Sequence, residues 1–78
     1  MTKTVLDYDL LHADILVRLN MIGMPQRYLD RKKGWSRSTL FRIQHHKKIT
    51  METFFTITDW LGGDKSKYFK TVKINQTS

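Results

Sequence analysis

The 78 residues include no cysteine. Disulfides, thiolate zinc sites and a thiol nucleophile are therefore excluded. A cysteine-free chain also fits a reducing cytoplasm. No apolar run approaches the roughly 20 residues that a membrane helix requires. No secretory leader is expected, because Asp7 and Asp9 fall where its apolar stretch would have to be. Proline occurs once, as Pro25, and the few glycines (Gly23, Gly34, Gly62 and Gly63) sit between apolar patterns, where they punctuate helices. Acids are the scarce charge, 7 Asp+Glu against 14 Lys+Arg, for a net charge of +7. Such a balance implies an anionic partner, either nucleic acid or a lipid surface. The length allows one small domain with a marginal core.

The positive charge is concentrated. From Gln26 to Lys48 the bases are Arg27, Arg31, Lys32, Lys33, Arg37, Arg42, Lys47 and Lys48, with Asp30 as the only acid. Met1 to Met24 instead sets Asp7, Asp9 and Asp14 against Lys3 and Arg18. A face that serves only solubility mixes both signs, and this segment does not.

Helical periodicity runs through most of the chain. Leu11, Ile15, Leu19 and Ile22, widened by Leu16, make an apolar stripe over Asp9 to Ile22. Asp9 can cap that helix, Gly23 stops it, and Met24 is expected to point inward. Pro25 suits the first turn of a second helix, Pro25 to Lys33, with Leu29 as its core residue. Gly34 then offers a left-handed turn, Trp35 an apolar anchor and Ser36 an N-cap. A third helix follows from Arg37 to about His46, burying Leu40 and Ile43. Thr50 caps a fourth, Met51 to Leu61, whose core positions are Phe54, Ile57 and Leu61. Gly62-Gly63 ends it, and Asp64 can cap one further turn that returns Tyr68 and Phe69 to the core. Residues 1–7 are a frayed end or a short strand. Residues 70–78 form a tail, either a short strand around Val72 and Ile74 or disordered. There is no internal repeat. The predicted architecture is all-α: a compact bundle of about five short helices in one domain, residues 1–69, with a helix–turn–helix at 25–46.

Gln26, Leu29, Gly34 and Ser36-Arg37-Ser38-Thr39-Leu40-Phe41-Arg42-Ile43 carry a family resemblance. Together with Thr50 to Phe55 and Trp60-Leu61-Gly62, they resemble the helix–turn–helix of the Cro/repressor (XRE-like) DNA-binding family over roughly Asp9 to Phe69. The resemblance implies a lambda-repressor-like domain. Asp30 stands where the family has a small residue, and Lys33 where it has an apolar one. Leu19 and Gln44 stand where many relatives have an arginine–glutamate pair. Losing both partners leaves no charge buried alone. The resemblance also implies that Gln26 binds backbone phosphate, and it makes a phage- or prophage-like repressor role the natural expectation.

A helix wheel sharpens the site. With Leu40 and Ile43 inward, Ser38, Phe41, Arg42 and His45 fall on or near the outer face, and Arg37 leads from the first turn. Arginine can donate two hydrogen bonds to guanine N7 and O6. Arg37, Ser38, Phe41 and Arg42 are therefore the candidates for base contact. Phe41 either meets thymine methyls or sugars or packs against the flank of the first or fourth helix. Gln26, Arg27, Thr39, His45, Lys47 and Lys48 are the candidates for phosphate contact, with the backbone as the alternative partner of Thr39.

The expected partner is double-stranded DNA, as a pseudo-palindromic operator bound by a homodimer, with the end of the fourth helix and Tyr68 to Ile74 as candidate dimer surfaces. The same fold can serve as an antitoxin or protein-interaction module. A membrane-surface role fits less well, since the basic segment lacks a sustained opposite apolar face. No catalytic constellation stands out, and His45-His46 point about 100° apart on a helix, so neither an enzyme nor a metal or cofactor site is expected. A cytoplasmic, nucleoid-associated location would follow.

Overall fold

The computed structural model describes residues 1–32 and 35–73, and of Arg37 the backbone alone. The predicted Gly34 turn, the role of Lys33, the side chain of Arg37 and the segment from Ile74 to Ser78 lie outside what is described.

The described residues open with strand β1 (Thr2–Leu6) and close with β2 (Phe69–Lys73), and the two pair antiparallel. Thr2 lies opposite Lys73 and Leu6 opposite Phe69. The all-α expectation is therefore corrected: three α-helices and two short 3-10 segments pack with a two-stranded sheet. The two strands are rich in threonine and valine, which suit a pleated backbone. Each is too short to declare itself alone, and their pairing spans nearly the whole chain. Only the folded helices bring the partners together.

Helix α1 (Tyr8–Ile22) starts where β1 leaves the sheet. The Asp7 amide donates to the Tyr68 carbonyl at 2.6 Å. That anchor turns the Asp7 carboxylate to accept the Leu10 amide at 3.1 Å. Asp7 is thus the cap, two residues before the expected Asp9. Leu11, Ile15 and Leu19 are buried along one stripe. Ile22 and Met24 were expected inside but are 43% and 41% exposed. The helix ends at Gly23, whose φ of 70° is the left-handed conformation that glycine adopts most easily. With the chain turning there, nothing carries the stripe on to Met24.

The predicted second α-helix is instead a 3-10 helix, Gln26–Arg31. Leu29 is its one buried residue. Asp30 and Lys32 supply no second apolar anchor, so packing selects no α-helical stripe and the short, tight form suffices.

Helix α2 (Arg37–Gln44) starts on Ser36 as expected. The Ser36 amide donates to Thr39 Oγ1 at 3.0 Å, and the two hydroxyls are also 3.0 Å apart. Ile43 is fully buried and Leu40 half-buried. Docking Ile43 alone is worth about 1.5–3 kcal/mol. The helix stops at Gln44, two residues before the expected end. His46 takes a left-handed φ of 55°, and the Lys47 amide donates back to the Arg42 carbonyl at 2.7 Å.

Helix α3 (Met51–Trp60) is capped by Thr50, whose hydroxyl accepts the Thr53 amide at 3.1 Å. It buries Phe54, Ile57 and Thr58; the Thr58 hydroxyl donates to the Phe54 carbonyl at 3.0 Å, which satisfies it inside the core. A single 3-10 turn, Ser66–Tyr68, leads into β2. Asp64 accepts the Ser66 amide at its start. Every helical element feeds one core: Leu11, Ile15, Leu19, Leu29, Trp35, Ile43, Phe54, Ile57 and Tyr68. Trp35 meets Trp60 edge-on at 5.5 Å, and Phe54 meets Tyr68 and Phe69 at 6.5 and 5.3 Å.

Candidate nucleic-acid interface

The core holds α2 by Thr39, Leu40 and Ile43, and this fixes what it presents outward. Ser38, Phe41, Arg42 and Gln44 are exposed, as is His45 just beyond the helix. Ser38, Phe41, Arg42 and His45 form the outer face that the wheel predicts. Thr39 does not join them. It is 5% exposed, and its hydroxyl serves the Ser36 cap, so it holds the helix start instead of reaching a phosphate.

Phe41 is 53% exposed. Its ring lies 4.3 Å from the His45 ring. Phe41, Leu40 and Gln44 form one wall of a shallow cleft of about 300 Å³, and Gln26, Arg27 and Asp30 form the other. The start of the 3-10 helix is thus brought beside the outer face of α2. Asp30 is the one carboxylate in that cleft.

The bases divide into two groups. Ion pairs among the described residues include Lys65–Asp59 at 3.0 Å, Lys67–Asp14 at 2.9 Å and Lys70–Asp7 at 3.7 Å, and the His46 ring meets Asp9 at 2.8 Å. Lys32 lies over the Tyr28 and Trp60 rings at 5.3 and 5.9 Å, and Arg18 over Trp60 at 5.8 Å. Arg27, Arg31, Arg42, Lys47 and Lys48 take part in none of these contacts and are exposed. The acids are spent on the N-terminal helix and the C-terminal lysines, and the middle of the chain keeps its charge.

His46 is the residue whose role sequence reasoning missed. Its Nε2 meets Asp9 Oδ1 at 2.8 Å, and its ring stacks on Tyr8 at 5.6 Å with 16° between planes. It ties the end of α2 to the start of α1. The adjacent His45-His46 pair was the only local signal, and the partners lie too far away in sequence for it to identify them.

The resolved titration shifts lie away from this face. Burial, then the bond to Asp14, pushes the Tyr68 phenol up to about 12. The hydrogen bond from Lys67 holds the Asp14 carboxyl below its ordinary value, against a smaller opposing effect of burial, and Asp14 in turn raises Lys67. Tyr68 Oη donates to Asp14 Oδ2 at 2.8 Å. Tyr68, offered above as part of a dimer surface, is buried and latched to α1, and β2 already has β1 on one edge.

Among the described residues no helix is long and apolar enough to cross a membrane. No family model, curated protein or solved structure matches the chain.

Proposed function

We propose that this chain binds double-stranded DNA sequence-specifically through the outer face of α2, as a small transcriptional regulator. The observation that carries the reading is the coincidence of that exposed face with bases that no acid neutralises. With its side chains a helix is about 10–12 Å across, which fits a major groove about 12 Å wide, and the eight residues of α2 give it about two turns.

Each side chain then has a role. Arg42 donates twice to a guanine edge, Ser38 bonds a neighbouring base, and Phe41 meets a thymine methyl. Arg37 joins them on the strength of its sequence position. Gln26, Arg27, His45, Lys47 and Lys48 hold phosphates on either side and set the register. One short helix reads only a half-site, so a homodimer on a pseudo-palindrome with centres about 34 Å apart is the working form. The likeness to Cro/repressor proteins in the residues from Gln26 to Ile43 supports a repressor, and nucleoid association would follow from the binding.

Selection of bound duplexes from a random pool tests this. The expected result is a short enriched motif with two-fold symmetry. Arg42→Ala should then weaken binding to the selected site by about 1–3 kcal/mol, roughly 5- to 150-fold. An equal loss on selected and random duplexes would remove base reading by Arg42. Failure to enrich any motif would remove the proposal.

A further inference from the structure

Outside α2 and its flanks, positive charge gathers on the β ribbon. β1 and β2 together carry Lys3, Lys70 and Lys73 and no acid. Lys3 lies opposite Val72 and Lys70 opposite Val5, so both lysines share one face. Lys73 lies on the other face with Thr2, Thr4 and Thr71. Lys3 and Lys73 join no ion pair among the described residues, and Lys70 reaches Asp7 only at 3.7 Å. Lysines on free strand edges also discourage unwanted pairing, which by itself would account for one or two of them.

The position of the ribbon adds more. Leu6 runs directly into Asp7, Tyr8 and Asp9, and Tyr8 and Asp9 hold His46 by the stack at 5.6 Å and the bond at 2.8 Å. Lys47 and Lys48 follow His46, with the Lys47 amide bonded to the Arg42 carbonyl. The root of the ribbon, the last turn of α2 and this lysine pair therefore meet at one corner of the molecule.

We infer that the ribbon is a second nucleic-acid contact, which takes the phosphate backbone of the duplex beside the site that α2 reads. This rests on the DNA-binding reading above. Lysine supplies a flexible point charge and threonine a hydroxyl, both suited to phosphate oxygens. Among its described side chains the ribbon carries no arginine, asparagine or glutamine, the residues that pair best with base edges, so its lysines and threonines are assigned to the backbone, where they add no sequence preference. Five residues at about 3.4 Å each reach about 17 Å, or half of a DNA turn of about 34 Å. The ribbon thus extends the covered duplex by about five base pairs on one flank.

The test compares wild type with Lys3→Gln/Lys73→Gln, which leaves the Lys70–Asp7 contact in place, and with Lys65→Gln as a control for net charge. Binding to selected and random duplexes is measured across a salt series, and the covered region is mapped by hydroxyl-radical cleavage. Because Lys3 and Lys73 lie on opposite faces, one of them meets the phosphates of a single duplex, and the double variant is expected to make the slope of log K against log salt shallower by about one on both duplexes and to lose protection on one flank. The control is expected to keep both. If wild type binds and the double variant keeps the wild-type slope and flank, or if the control loses as much per charge, the ribbon contact is overturned while the α2 reading stands. If wild type binds no duplex, both are overturned.

Discussion

Replacing Tyr68 by phenylalanine isolates one bond. The ring stays in the core against Phe54, and only the hydroxyl that donates to Asp14 Oδ2 at 2.8 Å is removed. A hydrogen bond to a charged group contributes about 1.5–3 kcal/mol. Asp14 keeps its bond from Lys67 at 2.9 Å, and its side chain is 25% exposed, so water can replace part of what is lost. The expected cost at pH 7 is about 1–2 kcal/mol, or a fall in Tm of roughly 5–15 °C for a domain of this size.

The pH dependence separates this bond from simple packing. The phenol's folded pKa, about 12, lies above its ordinary value of 10.0. The stability it provides is complete below the ordinary value and is lost as pH rises toward the folded one. Wild type should lose about 2 kcal/mol from this group between roughly pH 10 and 12, and Tyr68→Phe should lose none of it. Asp14 works at the other end: its lowered pKa gives stability that is present above the ordinary carboxylate value of 3.8 and lost below it. Urea unfolding followed by the fluorescence of Trp35 and Trp60, at pH 7, 9.5 and 11.5, reads the difference between the two proteins. The other lysines titrate in both and cancel; Lys67, whose raised pKa owes most to Asp14 and then to Tyr68, adds its own smaller difference. Equal stability at pH 7, or parallel loss at high pH, would refute the account of the latch.

Two substitutions probe other elements. Phe41→Ala should change folding stability by less than about 1 kcal/mol, because the ring is largely outside the core. On the selected duplex, replacing thymine by uracil removes the C5 methyl. Wild type should lose affinity at the contacted position, and the alanine variant should not distinguish the two bases. Gly23→Ala introduces a methyl that meets nothing within 4 Å, so its cost comes only from holding φ at 70°. Thermal melts should show about 1 kcal/mol of destabilisation; no loss would mean that the end of α1 relaxes to another conformation.

What the residues disclosed depended on how local the deciding interaction is. Ser36, Thr50 and Gly23 act within four residues of their own position, and all three mark helix ends as read. The outer face of α2 was legible because Leu40 and Ile43 fix its rotation. The sheet was not, because β1 and β2 stabilise each other from opposite ends of the chain. The 3-10 form at Gln26–Arg31 was not, because it depends on how little apolar surface that segment buries around Leu29. Thr39 has the same composition inside or out, and only the Ser36 amide beside it shows why its hydroxyl turns inward.

The pairing of β1 with β2 also sets an order of events during synthesis. Thr2–Leu6 leaves the ribosome long before Phe69–Lys73 exists, and at about 5–20 residues per second it waits several seconds for its partner. Closing so large a loop costs about 4 kcal/mol of chain entropy, which only the already docked helices reduce. The sheet therefore cannot form until Phe69–Lys73 exists and the helices have brought the two strands together. Until then the first strand offers an unpaired edge carrying Val5 and Leu6, with Lys3 set among them as a charge that neighbouring nascent chains must avoid.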